Sequence, residues 1–222
     1  MGNSIWNLTA RLGIVIVIVC AGASCAAGTG GNQHEAAATS HAADGLRTSL
    51  LQQSDLPGEW WPVATAAPAV AGGAGEVAPA PCARAGERLK SVRKRWTGSG
   101  LVEVSVAYAS DFADLKEEVV SAPGADPGEL MDALDAMVDA CRHFTVTGPG
   151  EQILSGEMSP ADFGQGDGGF GMVESLGDQQ LAYVYLVHDD TVAVLVLTAR
   201  APLAHDSDLA RIVAAARDRL ED

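Results

Sequence analysis

Aromatic side chains make up only 5% of this 222-residue chain, lysine occurs three times, and no asparagine follows position 32. A core with so few rings has to be assembled chiefly from Val, Leu and Ala. Basic residues are scarce as well, with 14 Lys and Arg against 29 Asp and Glu and a net charge of −15. That balance excludes a nucleic-acid binder, whose electrostatic footprint is basic. At 47% apolar residues the chain is also not an acidic disordered polymer, because it has enough apolar surface to bury a core. No apolar run approaches the ~20 residues that a bilayer-crossing helix needs. G-x-S-x-G, H-E-x-x-H and convergent carboxylate pairs are all missing, which leaves hydrolytic chemistry without a site. The chain reads as a non-enzyme that requires no cofactor or metal.

What is present begins with an export signal over residues 1–24. Arg11 precedes the apolar stretch from Leu12 to Val19, and small residues then lead to Cys25. Gly22-Ala23-Ser24-Cys25 resembles the lipobox of bacterial lipoproteins, with Gly22 where leucine is usual. The resemblance implies that Cys25 becomes the mature N-terminus and carries the acyl chains, placing the protein on the outer face of the cell membrane. Each buried methylene contributes ~0.8 kcal/mol, and more than one acyl chain is needed for stable anchoring. Residues 25–43 are rich in Gly, Ala, Ser and Thr and cannot offset their own chain entropy by burial, so they read as a flexible tether. His34 and His41 within it read as solvated.

The remaining residues, 44–222, suit one domain. Their wealth of Ala, Val, Gly and Arg fits a GC-rich genome such as an actinobacterium's. Asp126-Pro127-Gly128-Glu129 carries the features of a capped helix start, and Leu130, Leu134, Met137, Val138 and Cys141 follow on one face. A C-terminal helix after Asp206 places Leu209, Ile212, Val213, Ala216 and Leu220 on a stripe. A first helix from Asp44 carries Leu46, Leu50 and Leu51 and stops before Pro57. Another is expected from Ser110 or Asp111, with Phe112, Leu115 and Val119 pointing inward. Strands are expected where apolar residues alternate: Val102 to Tyr108, Phe144 to Thr147, Met172 to Leu176, and a hairpin of residues 180–187 and 191–199 about His188-Asp189-Asp190. The sum is an α+β domain with a mostly antiparallel sheet and helices packed on one face. The face carrying Glu103, Ser105, Thr145 and Thr147 is expected to be open or to line a cleft.

Cys82 and Cys141 remain after Cys25, and in an exported domain such a pair reads as a disulfide. Asp55-Leu56-Pro57-Gly58-Glu59-Trp60 after a short helix, then Pro81-Cys82-Ala83, an alternating strand, and a helix ending in Cys141-Arg142-His143-Phe144 form a recognisable succession. It is similar to actinobacterial sensor-domain lipoproteins, relatives of the extracellular domain of PknH-type Ser/Thr kinases. The resemblance implies an extracytoplasmic α+β domain whose cleft binds a small molecule or an envelope component. It also implies a departure, since the kinase domain has two disulfides and only Cys82–Cys141 can form here.

Two further features invite a functional reading. Gly164, Gly166 and Gly169 spell G-x-G-x-x-G, but they precede a strand instead of following one, so they read as a turn-rich loop. Arg84, Arg88, Lys90, Arg93, Lys94 and Arg95 place six cations within twelve positions, ending at Trp96. That segment reads either as a solvated helix balancing nearby acids or as a docking patch for anionic lipid or glycan. A ligand-binding or sensor-like lipoprotein is therefore favoured. An envelope interaction or assembly protein that docks through a sheet face or through residues 84–95 is the alternative, and nothing in the sequence marks an oligomeric state.

Overall fold

The computed structural model describes residues 42–64, 76–97, 102–111, 113–147, 152–199 and 207–222, without the side chains of Trp96 and Thr97. The export signal, Cys25 and nearly all of the tether lie outside these residues. Among the described residues no helix is long and apolar enough to cross a membrane.

Helix α1 (42–48) and a 3-10 turn, Gln53–Asp55, lead to β1 (Trp61–Pro62) and β2 (Val77–Ala78). Next come α2 (Ala80–Thr97), β3 (Val102–Ala109), β4 (Ala113–Ser121), α3 (Pro127–Ala140) and β5 (His143–Thr147). The chain ends in β6 (Ile153–Pro160), β7 (Phe170–Leu176), β8 (Gln179–His188), β9 (Thr191–Ala199) and α4 (Ser207–Glu221). These nine strands join one antiparallel sheet in the order β1-β3-β4-β9-β8-β7-β6-β5-β2. The α+β class and the antiparallel sheet are as the sequence indicated.

The helices, however, are not confined to one face. Strands β8 and β9 are buried on both sides, and their alternating side chains feed two separate cores. Leu181, Tyr183 and Tyr185 of β8 join Leu89 and Val92 of α2 and Leu130, Leu134 and Met137 of α3. Ala182, Val184 and Leu186 join Leu209, Ile212, Val213 and Ala216 of α4 on the other side. The near-continuous apolar runs at 181–186 and 192–195 are what a doubly covered strand requires. Reading them as a hairpin was correct, but their lack of alternation also signalled helices on both faces.

Residues 113–121 form a strand, not a helix, and Phe112 lies outside the described residues. Leu115 and Val119 are four apart, an even spacing that shares one face in either structure. The residue that decides between them is Glu117, which sits on the same core-facing row with no solvent exposure. A buried carboxyl at that position disguised the two-residue period. Strand β6 escaped notice for a related reason. Its inward positions are filled by Gly156 and Met158, and a Cβ on Gly156 would stand 2.4 Å from the Phe144 ring. The neighbouring strand supplies the bulk that β6 lacks.

Helix α3 starts as expected. Asp126 accepts a 2.8 Å hydrogen bond from the Gly128 amide, and Pro127 opens the first turn. Glu129, expected to reach back to the cap, instead pairs with Arg95 of α2. Replacing Asp126 with Ala leaves an amide of the first turn without its acceptor and is expected to cost about 1 kcal/mol in urea unfolding. An unchanged unfolding midpoint would show that the cap is dispensable.

The disulfide between Cys82 and Cys141 is formed, with Cα atoms 4.8 Å apart and both residues buried. It ties the first turn of α2 to the end of α3, while the Arg95–Glu129 pair joins the opposite ends of the two helices. The pair is thus an antiparallel layer stapled at both ends.

Candidate functional site

Because α2 and α3 cover the β5–β8 half of one face and α4 covers β8 and β9 on the other, the described helices leave two quarters of the sheet uncovered. The four polar residues expected on one open face divide between them. Glu103 and Ser105 belong to the α2 side of the sheet, whereas Thr145 and Thr147 belong to the α4 side, as the strand register dictates.

The α4-side quarter is a shallow groove of about 570 Å³ whose lining mixes His143, Thr145, Ser155 and Glu157 with Pro79 and Phe144. His143 Nδ1 lies 3.3 Å from Glu157, and both side chains are largely exposed, so water screens the pair. Among the described residues no cluster of His, Cys, Asp or Glu is arranged to hold a metal ion.

The α2-side quarter is a more enclosed cleft of about 260 Å³. Tyr183, Tyr185, Val194 and Val196 are among its apolar lining, and Arg93 of α2 contributes to its wall. Strand β4 directs Asp114, Lys116 and Glu118 to the same cleft because they alternate with its core-facing residues. Glu118 accepts a hydrogen bond from the Lys116 ammonium and lies 3.5 Å from the Arg93 guanidinium. An aromatic-aliphatic floor with a few charged groups on one side is the ordinary composition of a small-molecule site.

Tyr183 extends the cleft's polar chemistry inward. Its hydroxyl donates to Glu174 Oε2 at 3.1 Å, and Glu174 Oε1 has no partner among the described residues. Burial pushes the Glu174 carboxyl up to about 7. The Tyr183 hydroxyl is raised well above its usual range, first by burial and then by the neighbouring carboxyl. A buried carboxyl with one free oxygen is costly to ionise.

A second buried carboxyl lies on the opposite face. Glu117 Oε2 accepts from the Leu51 amide at 2.7 Å, while Oε1 has no partner among the described residues. Burial, reinforced by Asp55 and opposed by the Leu51 amide and Arg219, raises Glu117 to about 7. Leu51 is held twice, since its carbonyl accepts from the Tyr108 hydroxyl at 2.9 Å. Arg219 of α4 then grips Asp55 with two hydrogen bonds of 3.0 and 3.1 Å. Burial works against Asp55, but Arg219 and the Gln52 amide outweigh it and hold its carboxyl below the usual range. Residues 50–56 are consequently strapped to the α4 side, so the chain enters the domain on the face opposite the cleft.

The basic segment forms α2. Arg84, Arg88, Lys90, Lys94 and Arg95 are exposed and Arg93 is half-buried. Lys90 pairs with Glu87, Arg95 with Glu129 and Arg93 with Glu118. The side chain of Trp96 lies outside the described residues, as does Cys25. Gly164, Gly166 and Gly168 adopt positive φ in the loop between β6 and β7, which is the turn-rich segment the sequence suggested. His188 and Asp189 flank the β8–β9 turn 3.8 Å apart and face solvent.

Sequence reading missed Lys116, Glu118, Glu174 and Tyr183. The first two were assigned to a helix that does not form. The signal that would have found them is the row Leu115, Glu117, Val119, whose spacing of two places Lys116 and Glu118 together on the opposite face.

No family model matches the chain, and no curated protein does. The solved structures similar to it include two from mycobacteria. One is the extracellular domain of PknH from Mycobacterium tuberculosis, 12% identical, covering 79% of this chain and 94% of that one with a TM-score of 0.48. The other is an uncharacterized protein of Mycobacterium smegmatis, an Rv0999 ortholog, 17% identical, covering 58% and 74% with a TM-score of 0.29.

Proposed function

We propose that this chain is a lipid-anchored domain on the outer face of the cell membrane that binds a small ligand in the α2-side cleft without transforming it. The observation that carries the reading is the cleft itself, where an apolar floor is partly enclosed beside a short row of charged groups. The export signal, Cys25 and the tether support the location, and the buried disulfide suits an oxidising compartment. The strap at residues 50–56 puts the first described residues on the α4 side, the face opposite the cleft.

Docking through the basic helix is the less favoured reading, because Lys90, Arg93 and Arg95 already engage acidic partners. Mass spectrometry of the protein released gently from its native membrane tests the proposal. It is expected to show a diacylated or triacylated N-terminal Cys25 and a co-purifying small molecule lost on mild unfolding. An unmodified Cys25 would overturn the anchor. A protein that carries no small molecule and gains none from an envelope extract would overturn the ligand reading.

A further inference from the structure

The charges that line the cleft cancel, with Arg93 and Lys116 set against Asp114 and Glu118. Three of the four are engaged with one another. Glu118 accepts from Lys116 and lies 3.5 Å from Arg93, which has a further interaction of its own. The side chains of Arg93, Glu118 and Lys116 are 16%, 12% and 34% exposed, whereas Asp114 is exposed to solvent. Strand register sets the apolar floor beside this charged row. Lys116 aligns with Val196 and through it with Tyr183, while Glu118 aligns with Val194 and through it with Tyr185. The Tyr183 hydroxyl is committed to Glu174, so what this residue offers the cleft is its ring. At about 260 Å³ the space falls below the roughly 300–1,000 Å³ of drug-sized sites, so a slim body is required.

Resting on the cleft reading, we propose that the occupant is uncharged, a slim and mainly apolar molecule whose polar group is a neutral one such as a hydroxyl. A carboxylate can be paired in the less hydrated part of the site only by drawing a cation away from Glu118. An ammonium can be paired there only by drawing Glu118 away from a cation. Either exchange leaves a half-buried charge uncompensated, and an ion without a partner outside water is costly. A pair formed with Asp114 instead is exposed and contributes little. A neutral molecule disturbs none of these pairs. It gains by leaving water along the valines and tyrosines, and Thr198, aligned with Asp114, offers a hydroxyl to its polar end.

The test compares hexanol, hexanoate and hexylamine, which share one body and differ in head charge. Each is titrated calorimetrically into the full chain reconstituted in phosphatidylcholine vesicles, with protein-free vesicles subtracted. The buffer holds about 0.15 M salt, so that the net charge of −15 is screened beyond ~8 Å. Hexanol is expected to bind about tenfold more tightly than either ion, and roughly fourfold more tightly than pentanol, the gain of one buried methylene. Glu118→Gln leaves two cations against the exposed Asp114 and should bring hexanoate level with hexanol or beyond it. Lys116→Gln leaves two carboxylates against Arg93 and should do the same for hexylamine. Misfolding cannot mimic two gains of opposite charge. Val196→Phe should abolish binding of all three by filling the floor.

Hexanoate or hexylamine binding the native protein as tightly as hexanol, or a selectivity that neither charge variant alters, would overturn the uncharged class. If that binding is lost in Val196→Phe, the cleft reading stands. Binding of none of the three, or binding that Val196→Phe leaves unchanged, would overturn both.

Discussion

Lowering the pH from about 8 to about 5 is expected to raise the unfolding free energy by roughly 5 kcal/mol, the reverse of ordinary acid destabilisation. The source is the two carboxyls, Glu117 and Glu174, each buried and each raised to about 7. A folded-state value above the unfolded one means that the native protein binds more protons in the intervening range. Stability therefore falls as pH rises from the ordinary glutamate value through about 7, and it is fully present only below that ordinary value. Each group contributes about 2 to 3 kcal/mol across this window, since every tenfold gain in proton affinity is worth about 1.36 kcal/mol. Asp55 works in the opposite direction, since its depressed value makes it lose stabilising force in acid, but only below the ordinary aspartate range. Relief of the overall negative charge adds to the gain without specificity.

Substitution separates these contributions. Glu117→Gln and Glu174→Gln are each expected to flatten about half of the specific pH dependence in urea unfolding followed by circular dichroism. The side-chain amide that replaces Glu174 can still accept from the Tyr183 hydroxyl, and the one that replaces Glu117 can accept from the Leu51 amide, so the native hydrogen bonds survive. The double variant should be nearly as stable at pH 8 as the native protein at pH 5. A native protein whose stability is level between those values, or a double variant as pH-sensitive as the native chain, would show that neither carboxyl carries a proton in the fold.

These same two residues explain where the sequence was transparent and where it was opaque. Helices α3 and α4 were legible because each has a single solvated face, so burial and periodicity agree. The β8–β9 hairpin was legible from its apolar density and its two-aspartate turn, where Asp189 takes a positive φ of 51°. Strand β4 was misread because Glu117 occupies a core position, and a polar residue in that row breaks the pattern on which the inference depends. The short edge strands β1 and β2 bury too little to leave a period at all. The cleft itself was not visible, since neither Ser105 nor Glu103 lines it. Ser105 and Glu103 pointed to an open face on β3, but the groups that give the cleft its chemistry come from β4, β8, β9 and α2, which are brought together only by the crossing from β4 through α3 to the far side of the sheet. Local patterning carries no record of that crossing.

Removing the disulfide should produce the other large effect. The bridge closes a loop with a sequence separation of 59, and loop entropy of that size corresponds to about 4 kcal/mol, an upper estimate. That is a sizeable part of the roughly 5–15 kcal/mol available to a domain. The loss should also be local before it is global. Cys82 sits in the first turn of α2 and Cys141 at the end of α3, whereas β4, β8 and β9 are held by continuous ladders and by α4. Leu89 and Val92 still bury the middle of α2, so the helix should loosen from its N-terminal end instead of detaching. In Cys82→Ser/Cys141→Ser, hydrogen exchange should accelerate over residues 80–90 and at the end of α3, with little change in β8 and β9. The urea midpoint should fall with the slope unchanged. Uniform acceleration of exchange across both cores would refute a local role for the bridge, and an unchanged midpoint would refute its contribution to stability altogether.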